Sequence, residues 1–306
     1  MKTHERLDDP IITPPAGRRP KAGSLIITLF GDVISQHGNN VWLGSIIEAL
    51  TGFGLNARQI RTAISRLVQE QWLCAEQRGR RSYYSFTDTG RRRFERVANR
   101  IYAGSLPAWD GCWTLIVLSL MDSNKRDQLG SELSWQGFGQ INPGVFIHPA
   151  ANETVLREII NDAKAIDEVL VMRGTTHELT SRVALENTTL KAWKLAETQT
   201  QFAEFCQHFK QVLASIEQYD FSARQMFEIR LSVVHEYRRL LLKTTALPRD
   251  LLPRTWPGEE ALSIAASLYR ATSCDSLQFI ENSFKSISGN LPPVSPDYFE
   301  RFHGIE

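Results

Sequence analysis

Arg58, Arg61, Thr62, Ser65 and Arg66 crowd into one short stretch of the chain. Wound as a helix, that stretch puts Arg58, Arg61, Thr62, Ser65 and Gln69 on one face and Ile60, Ile64, Leu67 and Val68 on the other. A guanidinium offers a planar fork of donors that matches a guanine edge or a phosphate. Hydroxyl and amide groups complete the set that meets base edges in a major groove. A solvated polar face is the ordinary use of such a pattern, so the neighbouring residues decide. Twelve residues past Arg66 come Arg78, Gly79, Arg80 and Arg81, between the strand-like runs 72–76 and 82–86. A hairpin with a basic tip, directly after a helix with a polar outer face, is the winged-helix arrangement. Its arginines can grip phosphates or enter a minor groove.

These groups need elements to hold them. Residues 24–36 carry Leu25, Leu29 and Val33 at helical spacing, and residues 43–51 read as a second short helix ended by Gly52-Phe53-Gly54. Asn56 is a cap for the third helix, expected to run to about Gln71. Thr87 caps a fourth, in which Phe94, Val97 and Ile101 make a packing face and Arg91, Arg92, Arg93, Arg96 and Arg100 line the rest. That basic face reads as a connector or as a contact to nucleic-acid backbone.

Leu106-Pro107-Ala108 marks a boundary. Beyond it, strands are expected at 112–118, 145–148 and 168–172, alternating with helices at 122–136 and 153–163. This pattern fits a small ferredoxin-like domain. From about residue 177 the chain reads as helices at 188–216, 222–243 and 259–273, the middle one packing through Phe227, Leu231, Val234 and Leu241. The segment 247–258 is too rich in proline for one helix. The fold class is therefore α+β: an N-terminal winged helix-turn-helix (22–105), a ferredoxin-like middle domain (106–176) and a mainly helical C-terminal domain (177–306). A flexible basic arm (1–21) carrying Arg18, Arg19 and Lys21 precedes them.

Composition narrows the function classes. The formal charge of +1 hides an asymmetry: residues 1–105 hold 16 Lys and Arg against 9 Asp and Glu, the remainder 19 against 25. A basic front half points to a polyanion partner. No apolar run is long enough for a membrane span, and the N-terminus lacks the apolar stretch of a secretory signal. The four cysteines have no CxxC or zinc spacing, so reduced thiols in a cytoplasmic protein are expected. There is no GxGxxG, P-loop, HExxH or GxSxG, and neither catalytic nor metal-ligating residues are expected. Asp122, after the first middle-domain strand, could hold a metal in a nuclease of this fold, but a helix cap is the simpler reading. His148 has no carboxylate or cysteine arranged for nucleophilic work.

From residue 24 to 302 the chain resembles the PaaX-type repressors of phenylacetate degradation. The resemblance rests on LFGD (29–32), WLGS (42–45), IRTAISRL (60–67), GRRSYYSFTDTG (79–90), PAWDGCW (107–113), WQGFG (135–139), HEYRRLLLK (235–243), LPRDLLPRTWPG (247–258) and YFERF (298–302). The chain departs from the family at 244–248, where Thr244-Thr245-Ala246-Leu247-Pro248 replaces an Asp-Pro pair. The resemblance implies a homodimeric cytoplasmic repressor on double-stranded operator DNA. It would use no cofactor and be released by phenylacetyl-CoA. A regulator answering another aromatic acyl-CoA, or a DNA-bridging protein with no ligand, are the alternatives. DNA contacts are expected from Arg58, Arg61, Thr62, Ser65 and Arg66, with Arg78, Arg80 and Arg81 on the wing. A CoA thioester requires cations and an apolar slot. Arg238, Arg239 and Lys243 are candidates for the first, and His235, Tyr237, Trp193 and Trp256 for the second, with Arg173 and His177 as a further pair.

Overall fold

A computed structural model describes residues 19–102, 109–118, 121–243 and 247–305, with Arg96, Val97, Asn99, Arg100 and Trp135 described in backbone only. Arg18, the boundary at 106–108 and the departure at 244–246 lie outside the described residues.

In chain order the elements are α1 (Ala22–Asp32), β1 (Val41–Trp42), α2 (Leu43–Thr51), α3 (Ala57–Gln69), β2 (Leu73–Arg78), β3 (Arg81–Phe86), α4 (Asp88–Tyr102), β4 (Cys112–Val117), α5 (Ser123–Trp135), β5 (Gly139–Asn142), β6 (Val145–His148), α6 (Glu153–Asp162), β7 (Leu170–Thr175), α7 (Arg182–Ala192), α8 (Leu195–Gln218), α9 (Ala223–Lys243), α10 (Gly258–Ser283), β8 (Lys285–Ser286) and β9 (Gly289–Asn290). The described residues of 1–104, 202–240 and 257–306 form one compact unit. Those of 105–201 and 241–256 form a second.

In the first unit α1 is the central helix. Leu25, Ile26, Leu29 and Phe30 are fully buried, which its nearly unbroken apolar sequence permits. The helix stops at Asp32, earlier than the expected residue 36, and the next residues form a 3-10 turn (Ile34–His37). Phe30 of α1, Phe86 of β3 and Phe94 of α4 stack in series at 5.3 and 6.0 Å between centroids, fixing the wing and α4 to the central helix. The wing gains a third strand: β1 pairs with β3 through Val41 and Tyr84. The α10 helix runs to Ser283, ten residues past the expected end.

Asp32 is completely buried at the end of α1. Arg230 Nε of α9 donates to its Oδ2 at 3.1 Å, and Arg301 Nη1 donates to its Oδ1 at 2.9 Å. The hydroxyls of Tyr102 and Tyr269 donate to the same Oδ1 at 2.7 and 2.9 Å. Arg230 also donates to the hydroxyls of Tyr298 and Tyr269, at 2.8 and 2.7 Å. Arg301 reaches the backbone carbonyls of Asp32 and Gly31. One carboxylate thus ties α1 to α4, α9, α10 and the C-terminal turn.

In the second unit, four antiparallel strands run in the order β5-β6-β4-β7, and the sequence βαββαβ is ferredoxin-like. Ile116 and Phe146 point to one face and pack with Leu129 and Leu133 of α5 and Leu156 and Ile160 of α6. Asp122 caps α5, its carboxylate accepting from the backbone N–H groups of Asn124 and Lys125. The sheet has one strand more than expected, β5, and β7 begins at Leu170 rather than 168.

Burial by itself would raise the Asp32 carboxyl's pKa, but Arg230 and Arg301, with the two tyrosine donors, hold it below the usual carboxylate value. A depressed folded-state value adds stability above the unfolded value and loses it as pH falls through the folded one. Asp32→Asn should cost about 3–5 kcal/mol at neutral pH, since it strands two buried guanidinium groups. It should also flatten the acid limb of a urea-midpoint-against-pH curve. An unchanged midpoint at pH 7 would contradict this account of the fold.

Candidate nucleic-acid interface

The α3 helix starts with a capping box. The Asn56 side chain accepts from Gln59 N–H at 2.9 Å, and the Gln59 side chain accepts from Asn56 N–H at 2.9 Å. Ile60, Ile64 and Leu67 are buried beneath the helix, while Arg58, Arg61, Thr62, Ser65, Arg66 and Gln69 are exposed. The polar face is therefore open to solvent and not folded into the protein's own interior. A groove of about 740 Å³ runs beside it, bounded by Lys21, Ser24 and Ile27 at the start of α1 and by Arg58, Thr62 and Arg66.

Two of these groups are already engaged. Thr62 Oγ1 donates to the Arg58 carbonyl at 3.0 Å, so its lone pairs remain to accept. Arg66 Nε donates to Glu70 Oε1 at 2.7 Å, an exposed i,i+4 pair that contributes little to stability.

The wing is a tighter hairpin than the sequence predicts. Arg78 and Arg81 are opposed across the strands, leaving only Gly79 and Arg80 at the turn. Gly79 has φ +59°, a conformation that glycine adopts without strain. Arg80 stands exposed at the tip. Arg78 Nε donates to Glu76 Oε1 at 2.9 Å, and the Arg81 guanidinium lies 4.9 Å from the Trp42 ring centre. Arg91, Arg92 and Arg93 of α4 are exposed, as are Arg19 and Lys21. Arg93 also packs over Trp72 and donates to the Glu70 carbonyl.

The residues expected to hold an effector are dispersed. In the first unit, His235 is buried with its Nδ1 3.1 Å from Thr28 Oγ1. Burial, then the charges of Arg238 and Arg239, push its pKa down to about 3, so it is neutral. Tyr237 is buried against Phe205. Arg238 is buried under the Phe94 ring, and its pKa is lowered by desolvation to about 10. Arg239 donates to Glu236 at 2.9 Å. These side chains pack the helices. In the second unit, Lys243 donates to Gln201 at 3.0 Å and Trp256 is buried. His177 is exposed, accepting from Leu179 N–H at its Nδ1. Arg173 donates to Asp110 at 2.9 Å.

Trp193 belongs to an aromatic cluster that the residue-by-residue reading missed: it stacks on Trp113 at 6.4 Å, and Trp113 meets Trp109 at 5.1 Å. The available signal was the apolar character of both faces of 112–118, which exceeds what one helical layer can cover.

The chain matches three parts of one family in order. Residues 21–90 match PaaX-like protein, 106–185 the PaaX protein central Cas2-like domain, and 193–282 the PaaX-like protein C-terminal domain. It is 33% identical over 284 residues to the transcriptional repressor PaaX of Escherichia coli (strain K12), covering 92% of this chain and 90% of that protein. The chain belongs to the PaaX-like family. The chain is a PaaX-like transcriptional repressor, not an enzyme. Among solved structures, it is similar to the uncharacterized protein Rv0674 from Mycobacterium tuberculosis, with a TM-score of 0.50 and 19% identity over 83% of this chain and 97% of that one, a likeness of fold. Among the described residues of this PaaX-like chain, no helix is long and apolar enough to cross a membrane.

Since the capping box is what starts α3 at Ala57, Asn56→Ala should lower stability by about 1 kcal/mol. Urea unfolding reads this directly, and an unshifted midpoint would remove Asn56 from that role.

Proposed function

We propose that this chain is a homodimeric, cytoplasmic repressor that binds operator DNA of phenylacetic acid catabolic genes and is released by phenylacetyl-CoA. The observation that carries the reading is the solvent-open polar face of α3 beside an arginine-bearing hairpin. Residues 22–105 supply the DNA-binding domain, 106–176 the ferredoxin-like domain, and 177–306 the sensing and dimerisation region. Two copies of α3 related by a twofold axis enter successive major grooves of a partly palindromic site. Arg58, Arg61, Thr62, Ser65 and Arg66 contact the duplex from α3. Arg78, Arg80 and Arg81 add a salt-dependent, largely sequence-independent grip. The effector uncouples DNA only by binding more tightly to the arrangement that cannot hold the operator. No cofactor takes part.

The deciding experiment titrates phenylacetyl-CoA into a complex of the protein with its own promoter DNA, followed by gel shift. Release supports the reading. Retention at saturating ligand would indicate a DNA-bridging protein, and consumption of the thioester an enzyme. Arg61→Ala should weaken operator binding by about five- to 150-fold, about 1–3 kcal/mol for the loss of one duplex contact, and leave the dimer intact by sedimentation. Equal affinity in variant and parent would take Arg61 off the contact face. The double variant Arg78→Ala, Arg80→Ala should reduce the slope of log affinity against log salt by about one to two units. An unchanged slope would mean that the wing does not hold phosphates.

A further inference from the structure

One face of the middle-domain sheet packs on α5 and α6, but the other is apolar as well. Trp113 and Leu115 of β4, Ile147 of β6 and Met172 of β7 share it, in register: Leu115 pairs with both Ile147 and Met172. With Ile141 of β5 and Leu185 and Thr188 of α7, they line a pocket of about 420 Å³. That size and an apolar lining with few polar groups suit a small organic ligand. Met172 and Ile141 are 42% and 40% exposed, so apolar surface stands in water where an occupant would cover it.

One hydrogen-bonded pair lies just past the end of β7. Trp113 Nε1 donates to Thr176 Oγ1 at 2.7 Å, which leaves the Thr176 hydroxyl hydrogen free to donate in turn. Arg173, next to Met172 in β7 and paired with Thr114, turns to the opposite face and meets Asp110 there. The wall is braced from behind. Trp193 stacks on Trp113 and donates to the Gly137 carbonyl at 2.8 Å. A side chain at Gly139 would strike the Trp193 ring at 2.6 Å, so glycine is required there.

We propose that this pocket receives the aromatic acyl group of the effector. The ring lies against Trp113, Leu115, Ile147 and Met172, and the acyl oxygen meets the Thr176 hydroxyl. The proposal rests on the effector reading above and moves the acyl-binding place from the helical region to the middle-domain sheet and α7. The shared chemistry is an aromatic ring on a short acyl group, carried as a thioester or as the free acid.

The test is calorimetric and fluorimetric titration of the full chain with phenylacetyl-CoA, phenylacetate and CoA. The expected result is saturable binding of the phenylacetyl-bearing compounds with a change in tryptophan emission, and at least tenfold weaker binding of CoA alone. The better binder of the two shows whether thioester or acid is the natural form. Met172→Arg places a charge in the slot and Thr188→Phe fills it. Each should raise the Kd tenfold or more while thermal midpoint and operator affinity stay at the parent values. If both variants bind like the parent, the pocket is wrong and the effector reading survives. If the parent binds neither phenylacetyl compound, the effector reading fails and the pocket with it. If the variants alter sedimentation but not ligand affinity, the face is a self-association surface and the proposal is overturned.

Discussion

A single carboxylate, sealed from water, decides how the first unit is assembled. Asp32 accepts from two guanidinium groups and two phenols, and those donors come from α4, α9, α10 and the C-terminal turn. Charge buried in this way is costly unless it is fully paired, and the pairing works only when every contributing segment is in place. The arginines also lie over aromatic rings, Arg230 at 4.4 Å from Tyr269 and Arg301 at 4.0 Å from Tyr102, which replaces some of the lost hydration. The cluster therefore acts as a register device: the central helix α1 has one position relative to the C-terminal helices of the same unit.

From that anchor the exposed chemistry follows by short steps. The α1 helix ends in Asp32, and its Phe30 holds Phe86, the last residue of the wing. Phe86 in turn holds Phe94 of α4. The α3 helix presses Ile60, Ile64 and Leu67 inward and has no other apolar face to bury, so its arginines and hydroxyls must face out. The placement of the polar face is a by-product of where the apolar one goes.

What could be read from the residues divides by distance along the chain. The α3 helix, its Asn56 cap and the hairpin after it are local patterns, and they stand in the structure with their ends shifted by a residue or two. The two-residue β1 and the four-residue, irregular β5 (GQIN) carry too little alternation to be seen as strands. Asp32 looked like an ordinary helix-end carboxylate, because the arginines that define it lie 198 and 269 residues away. The polar residues of α9 misled for the same reason. His235 and Arg238 were candidates for a ligand, yet they sit in a buried helix whose partners come from the distant N-terminal half. Trp193 was named alone, and only the packing of the residue after α7 on β4 brings it against Trp113.

The two exposed ion pairs on the polar side, Arg66 with Glu70 and Arg78 with Glu76, carry a consequence of their own. On the DNA-binding reading proposed above, each glutamate is an intramolecular rival for the phosphate its arginine would otherwise take. A random stretch of double helix, offering phosphates in poor alignment, gains little by displacing such a tethered competitor. A site that brings base edges and backbone into place together gains more. Acidic neighbours of this sort sharpen discrimination by weakening casual encounters, and a surface stripped of them would cling more tightly but choose less well.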